Sequence, residues 1–258
     1  MIELSLPAIQ QFLLVLVRTA SFVTMFPVFG GAGVPVQIRA GLSFVLALVL
    51  YPVVRSTLPL GVLPTTVVGL AGVVIAEMIV GFILGLSVRM LLSAAELGGH
   101  MVGYQMGFGI MSIMDPQTQS ETSLMAELAY LVALLVFLAA GGHHAYIRAM
   151  AASFNIVPLG GLVMKGAIYR LLMADCAHMF VLAVKMSAPT IAALLFTTLG
   201  FALLSRAVPQ INIFVVGMPV SIAVGLIFFG LSLQLALPLM SRETGGMGTV
   251  LLRLLKAM

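Results

Sequence analysis

Six ionisable side chains lie inside long apolar stretches of this chain, and residues of these types could relay ions or protons across a membrane. A charge is costly in lipid, so each normally faces a protein interior or an aqueous path. The alternative role is structural, with each charge paired across an interface between subunits. We favour the structural role, because a transporter would show more clustered carboxylates. The six residues are Arg18, Glu77, Arg89, Glu96, Asp175 and Lys185.

Lys185 is the sharpest case among these charges. Pro189 lacks the N–H that would bond the Lys185 carbonyl, so a helix here should kink and leave a polar group unsatisfied beside the charge. Arg89 and Glu96 are seven residues apart, so on a helix they share a face without bonding directly. Arg206, which falls in a predicted turn, is also assigned the role of a structural charge.

The sequence lacks the residue spacings of metal sites and phosphate loops. His143 and His144 are adjacent, so they face different sides of a helix and do not form a pair of metal ligands. Residues 30–33, Gly-Gly-Ala-Gly, are not followed by the Lys-Ser/Thr of a phosphate loop. The single cysteine, Cys176, can form no internal disulfide. We therefore expect a protein that is not an enzyme and that uses no metal or cofactor.

The composition places the chain among polytopic helical membrane proteins. It has 258 residues, of which 62% are hydrophobic and 8% charged, and its mean hydropathy is +1.21. The net charge of +4 is small and spread along the sequence, so no run of Lys and Arg suggests nucleic acid or an anionic surface. Glu3 stands where a signal peptide would be basic, so we expect the first helix to stay in the protein.

The apolar segments predict an all-α fold of integral-membrane helices. Four segments come first, at residues 9–26, 38–54, 65–94 and 123–140, and a short, more polar piece then ends near Pro158. Residues 169–204 are too long for one vertical span, since as a helix they would measure roughly 54 Å. With a turn at 205–210 and a return arm at 211–239, interrupted at 217–219, they predict a long hairpin followed by a glycine-rich tail.

Residues 98–117, GGHMVGYQMGFGIMSIMDPQ, predict a tight helix contact followed by a loop. Ala95, Gly99, Gly103 and Gly107 recur every fourth residue, so they form a small-residue face that lets another helix approach. Beyond Gly107 the pattern stops, and residues 108–115 are predicted to be irregular. An irregular backbone among membrane helices must be buried in protein or line a water-filled space. The alternative is an ordinary connection with methionine as core filler.

Three groups of residues resemble the FliR proteins of the bacterial flagellar export apparatus and their SctT counterparts in virulence type III secretion. The most specific is residues 199–219, LGFALLSRAVPQINIFVVGMP. The second comprises Arg18 with residues 26–30, FPVFG, then Pro35 and Arg39, and the third runs from Gly107-Phe108 to Asp115-Pro116. Together they cover most of the chain in the family's order, and they favour the flagellar member over the secretion homologue.

The resemblance implies a FliP-like part, residues 1–163, fused to a FliQ-like long hairpin, residues 164–258. By this resemblance, the protein is one chain of a helical assembly that also contains FliP and FliQ subunits, with an FlhB-like protein nearby. That assembly is the portal through which unfolded flagellar subunits leave across the inner membrane, in the flagellar basal body. The implied partners are thus these proteins, the exported chains and the membrane, with no nucleic acid.

The family's loop between Gly-Phe and Asp-Pro acts as a plug in the portal. By resemblance, the plug residues here are Gly107, Phe108, Gly109, Ile110, Met111, Ile113, Met114, Asp115 and Pro116. Two other functions stay open. One is a secondary transporter whose substrate site lies at the broken helix of residues 185–189, although the two halves of the chain show no inverted repeat. The other is a scaffold that nucleates the assembly without conducting anything.

Overall fold

The computed structural model describes residues 6–30, 34–55, 64, 66–108, 124–208, 210 and 213–258. These residues form seven helices and no strand, which confirms the predicted all-α membrane-type fold. The helices are α1 (Leu6–Met25), α2 (Val36–Arg55), α3 (Val67–Gln105), α4 (Leu124–Ala139), α5 (Gly142–Ile156), α6 (Gly166–Ala207) and α7 (Ile213–Ala257).

Helix α3 joins two segments that the sequence suggested were distinct. It continues without a break from the third apolar segment through the glycine-rich face and ends at Gln105. Gly107 follows with φ of +93°, a conformation that glycine adopts more readily than other residues. The predicted stop of the helical pattern at Gly107 is confirmed, because the last turn closes through the bond from the Gly107 N–H to the Tyr104 carbonyl.

Helices α6 and α7 are the two arms of the predicted hairpin. Within the described residues, His178 contacts Glu243 and Leu194 shares a core cluster with Phe229, so residues later in α6 pair with residues earlier in α7. This order is that of antiparallel arms. The structure therefore confirms a long hairpin, with the connection near Gln210.

The predicted interruption at residues 217–219 and the glycine-rich tail beyond residue 239 are both wrong. Helix α7 runs through Pro219 and Pro238 and continues to Ala257. Three buried side chains explain the extension, since Met247, Leu251 and Leu254 lie four and three residues apart, on one helical face. Their packing outweighs the weak helix propensity of the glycines around them.

The chain divides into two compact units. Unit 1 comprises Met1–Met90, Gly141–Asp175 and Thr244–Met258, and unit 2 comprises Leu91–Ala140 and Cys176–Glu243. Each unit therefore takes segments from both of the parts that the resemblance suggested. The predicted boundary between the FliP-like and FliQ-like parts at residue 163 rests on the family resemblance, and it stays a prediction.

Each unit has its own apolar core. In unit 1, Val15 of α1, Ala47 of α2 and Phe154 of α5 belong to one buried cluster. In unit 2, Val102 of α3 and Met106, just after it, pack with residues of the other three helices there, namely Met125, Ala129, Leu194 and Phe229. Both cores thus join residues that are far apart in the sequence.

Glycines set the closest helix contacts. Gly81 of α3 lies against the backbone of α1, where a Cβ would come within 2.6 Å of the Arg18 carbonyl oxygen. Gly99 lies against the backbone of α4 at Met125 and Ala126, which confirms the close approach predicted from the small-residue face. No side chain larger than hydrogen fits at these two positions without movement of a backbone.

Among the described residues, four helices are long and apolar enough to cross a membrane, namely α1, α3, α6 and α7, and α4 with α5 could form a fifth, broken span. Helices α3, α6 and α7 contain 39, 42 and 45 residues. At 1.5 Å per residue these lengths correspond to about 59, 63 and 68 Å, whereas a hydrocarbon core is about 30 Å thick. Each of the three therefore extends well beyond one bilayer thickness if it stands upright.

Candidate functional site

A buried ion pair lies at the centre of unit 1. The Nε of Arg18 donates a hydrogen bond of 2.5 Å to Oε2 of Glu77, and the side chains are 0% and 1% exposed. Arg18 is on α1 and Glu77 on α3, so the pair links two helices. Such a charge needs its partner, because an unpaired ion in this environment would be strongly destabilising.

Other groups of Arg18 bind helix α5 and the residue after it. Nη1 of Arg18 donates to the carbonyl oxygen of Val157 at 3.0 Å and to Oγ of Ser153 at 3.3 Å. The ring of Phe154 lies 4.5 Å from Cζ of Arg18, within the range of a cation–π contact. The guanidinium therefore contacts the last turn of α5, at Ser153 and Phe154, and Val157 directly after that helix.

Oε1 of Glu77 accepts a hydrogen bond of 2.8 Å from the N–H of Gly160. Gly160 has φ of +74° and sits against the side chain of Val73, so the turn there requires the conformational freedom of glycine. Together, Arg18 and Glu77 fix the turn after α5 against α1 and α3. We call these two residues and their partners Ser153, Phe154, Val157 and Gly160 the charge lock.

Tyr146 supports the same region. Its ring stacks on Phe22 with centroids 3.7 Å apart and on Phe26 at 4.6 Å. Its hydroxyl donates to the Phe22 carbonyl oxygen at 3.0 Å, which satisfies the one polar group of a fully buried side chain. Gly85 leaves the space beside this hydroxyl, where a Cβ would come within 3.0 Å of it.

The plug expected from the resemblance begins at a fixed point in unit 2. Met106 is 1% exposed and fills the space left by Gly225 of α7. Phe108 packs on the same cluster as Met106. The chain therefore leaves α3 from an anchored position, through the left-handed Gly107. The plug residues Gly109, Ile110, Met111, Ile113, Met114, Asp115 and Pro116 lie outside the described residues.

The other charges expected to be structural do not come together with the charge lock. Arg89, Lys185 and Arg206 are exposed, and Glu96 is half-buried. Asp175 accepts a hydrogen bond of 3.1 Å from Ser87. Arg18 differs from the expectation, because its partner Glu77 belongs to its own chain and not to a neighbouring subunit.

Unit 2 contains a partly open apolar groove between α3, α4, α6 and α7. Small residues line much of it, including Ala95, Gly98 and Gly99 of α3 and Ala133 of α4. Ser187 and Ser232 supply its hydroxyl groups, and each donates to a carbonyl of its own helix. Within the described ranges, no three His, Cys, Asp or Glu side chains are grouped as metal ligands would be.

Comparison with known proteins decides which family the chain belongs to. A model of the bacterial export proteins, family 1, matches residues 9–247. The flagellar biosynthetic protein FliR of Bacillus subtilis strain 168 is 32% identical over 223 residues, which cover 84% of this chain and 83% of that protein. The chain belongs to the FliR family of bacterial export proteins.

Other FliR relatives cover similar shares of the chain. The FliR protein of Aquifex aeolicus strain VF5 is 30% identical over 91% of both chains. That of Escherichia coli strain K12 is 25% identical over 86% of this chain and 84% of its own length. The resemblance read from residues 199–219, Arg18 and the Gly-Phe and Asp-Pro pairs is therefore confirmed at the level of the family.

The family match and the membrane-type helices together indicate where this chain works. It is an inner-membrane protein of the flagellar basal body and a component of flagellar type III protein export. Within it, the charge lock and the anchored end of α3 are two of the arrangements that the fold builds from distant residues.

Sequence reasoning missed most of the charge lock. It identified Arg18 and Glu77 as charges but not as a pair, and it did not single out Ser153, Phe154 or Gly160. One available signal was the pair Gly160-Gly161, two residues after Pro158, which predicts a tight turn rather than a plain connection. Tyr146 carried no signal of its own, since an aromatic residue in an apolar segment is ordinary.

Proposed function

We propose that this chain assembles with FliP-like and FliQ-like subunits, beside an FlhB-like protein, into the portal that passes unfolded flagellar subunits across the inner membrane. Residues 1–163 supply the FliP-like part and residues 164–258 the FliQ-like hairpin. Residues 107–116 form the plug that closes the portal at rest. The chain binds its partners and the exported protein and performs no catalysis.

The observation that carries this proposal is the exposed apolar surface of the long hairpin. On α6, Phe196 is 72% exposed and Leu203 is 68% exposed, and on α7, Ile227 and Leu235 are 63% and 66% exposed. A single bilayer can cover only about half of a helix of this length. Side chains beyond the hydrocarbon core then need protein to cover them, which neighbouring subunits provide.

The hairpin also supports the FliQ-like assignment of residues 164–258. Its arms are antiparallel, and each is one continuous helix that accommodates its internal proline residues. An elongated hairpin of this kind can pack side by side with similar hairpins, because each arm exposes large apolar side chains such as Phe196 and Leu235.

The end of α3 supports the plug. A loop that must close a lumen and later yield to a passing chain needs a fixed start and a deformable body. Met106 and Phe108 provide the fixed start in unit 2. The sequence beyond them is rich in methionine, whose flexible side chain adapts to varied neighbours.

Co-expression tests the assembly. We expect the tagged chain to be degraded or aggregated when made alone and to become long-lived with its FliP-like and FliQ-like partners. The double substitution Phe196→Ser with Leu203→Ser should reduce the recovery of partners, because polar groups would then replace the apolar contact. The exposed Arg148→Gln serves as the control and should recover partners as the parent does. A long-lived, monodisperse monomer in detergent, or equal recovery by both variants, would contradict the proposal.

A further inference from the structure

Unit 1 carries a large excess of positive charge. Among the residues whose side chains the structure describes, this unit has eight Lys and Arg and two acidic residues, whereas unit 2 has three of each. One of the two acids of unit 1, Glu77, is buried and bound to Arg18. The sequence did not suggest such an excess, because the basic residues come from separate segments.

Four of these basic residues are brought to one place by the fold. The N–H of Val163 donates to the carbonyl oxygen of Met258 at 3.2 Å, which joins the start of α6 to the end of α7. Lys165 and Lys256 are each two residues from this bond, so their Cα atoms lie within about 20 Å of each other. Arg170 and Arg253 stand one turn further along their helices, and all four side chains are exposed.

Exposed apolar and aromatic residues surround these charges. Met164 and Tyr169 are each 66% exposed, and Leu252 is 39% exposed. Helices α6 and α7 are both apolar enough to cross a membrane, and the four charges lie at one end of each. Lysine, arginine and tyrosine beside exposed apolar side chains, at the ends of membrane helices, are typical of the membrane–water interface.

We propose that Lys165, Arg170, Arg253 and Lys256 form a binding surface for the phosphate groups of anionic phospholipids. The apolar neighbours contact the acyl chains while the four cations contact the headgroups. This role is separate from the portal and does not depend on it. The four residues form the basic end of unit 1.

Fluorescence quenching in vesicles tests this surface, because the chain has no tryptophan. The substitution Tyr169→Trp places a probe at the basic end, and Phe196→Trp places a second probe at an exposed site in unit 2. The full-length chain, purified together with FliP-like and FliQ-like partners whose own tryptophans are replaced by phenylalanine, is reconstituted into mixtures of phosphatidylglycerol and phosphatidylcholine in which one of the two lipids carries brominated chains. The ratio of the two quenching curves gives the preference of each site for phosphatidylglycerol.

We expect the Tyr169→Trp probe to prefer phosphatidylglycerol about fivefold or more, since each Lys or Arg near an anionic surface contributes about that factor. The Phe196→Trp probe should show a ratio near one. Replacing all four basic residues by glutamine should bring the first ratio to about one. Replacing Arg148, Lys185, Arg206 and Arg242, which are four exposed cations elsewhere, removes the same charge and should leave the preference unchanged.

Several results would overturn the proposal. They are a ratio near one at Tyr169→Trp in the parent, the same preference at both probes, or a preference that survives the fourfold glutamine substitution. A ratio near one at Tyr169→Trp would indicate that the basic end binds an acidic protein and not anionic lipid. If the fourfold variant does not reconstitute, Lys165→Gln with Lys256→Gln replaces it. Raising the salt concentration from about 0.01 M to 1 M, which shortens the screening length from about 30 Å to 3 Å, must also lower the parent's preference.

Discussion

Nε of Arg18 lies 2.5 Å from Oε2 of Glu77, and both side chains are buried between α1 and α3 of unit 1. The pair joins residues that are 59 positions apart in the sequence. It also fixes the turn after α5, because the second oxygen of Glu77 binds Gly160 and the guanidinium binds Val157. Loss of either charge would therefore affect three helices.

Removal of one charge should cost more than removal of both. We expect Arg18→Met or Glu77→Gln to destabilise unit 1 by about 3–5 kcal/mol, because the remaining group loses its partner while buried. The double variant Arg18→Met with Glu77→Gln should be more stable than the sum of the two single effects predicts. Thermal unfolding in detergent of the chain in complex with its FliP-like and FliQ-like partners, for the parent, both single variants and the double variant, measures this coupling.

Arg89→Met is the control for this cycle, because Arg89 lies on α3 as Glu77 does but is exposed. Its effect should stay within about 0.5 kcal/mol. Strictly additive effects of the Arg18 and Glu77 substitutions would show that the two side chains do not act as a pair.

Two glycines of unit 2 should respond in opposite directions to the same substitution. Gly99→Ala should destabilise the protein by about 1–3 kcal/mol, because its Cβ would meet the backbone of α4. Gly230→Ala should stabilise by about 0.5–1 kcal/mol, because Gly230 is inside α7 with no atom near its Cβ position. Melting temperatures of the two variants give the comparison, and a neutral Gly99→Ala would show that α3 and α4 can separate without loss.

The sequence was sufficient to predict the membrane class, the hairpin and the contact at Gly99. These features depend on local patterns, namely apolar segment length and small residues at helical spacing. The end of α3 at Gly107 was predicted for the same reason. These patterns depend on residues that are close together in the sequence, and the structure agrees with them at these positions.

Features that depend on distant residues were not predicted. Two such features are the pairing of Arg18 with Glu77 and the proximity of Lys165 to Lys256. Both arise from tertiary packing, which sequence spacing does not predict. The extension of α7 beyond residue 239 was missed because the helix propensities of the glycines there were weighed without the burial of Leu251 and Leu254. Packing decided these cases against local propensity.

The ion pair of His178 and Glu243 should matter much less than the charge lock. Its atoms are 3.0 Å apart, but the side chains are 51% and 27% exposed. We expect Glu243→Gln to change the free energy of unfolding by less than about 1 kcal/mol, since solvent screens an exposed pair. The same thermal unfolding assay measures it, and a loss comparable to that of Glu77→Gln would mean that the pair is shielded in the folded protein.

Ion conductance of the assembled portal tests the central claim most directly. Deletion of residues 110–114 removes Ile110, Met111, Ile113 and Met114, the apolar side chains that we propose block ions by excluding water. We predict that this deletion leaves the assembly with FliP-like and FliQ-like subunits intact and makes the membrane leaky to ions and small solutes. Met111→Ala, which shortens one side chain, should leak less. An assembled deletion variant that stays as tight as the parent would contradict the plug and make residues 108–115 an ordinary helix connection.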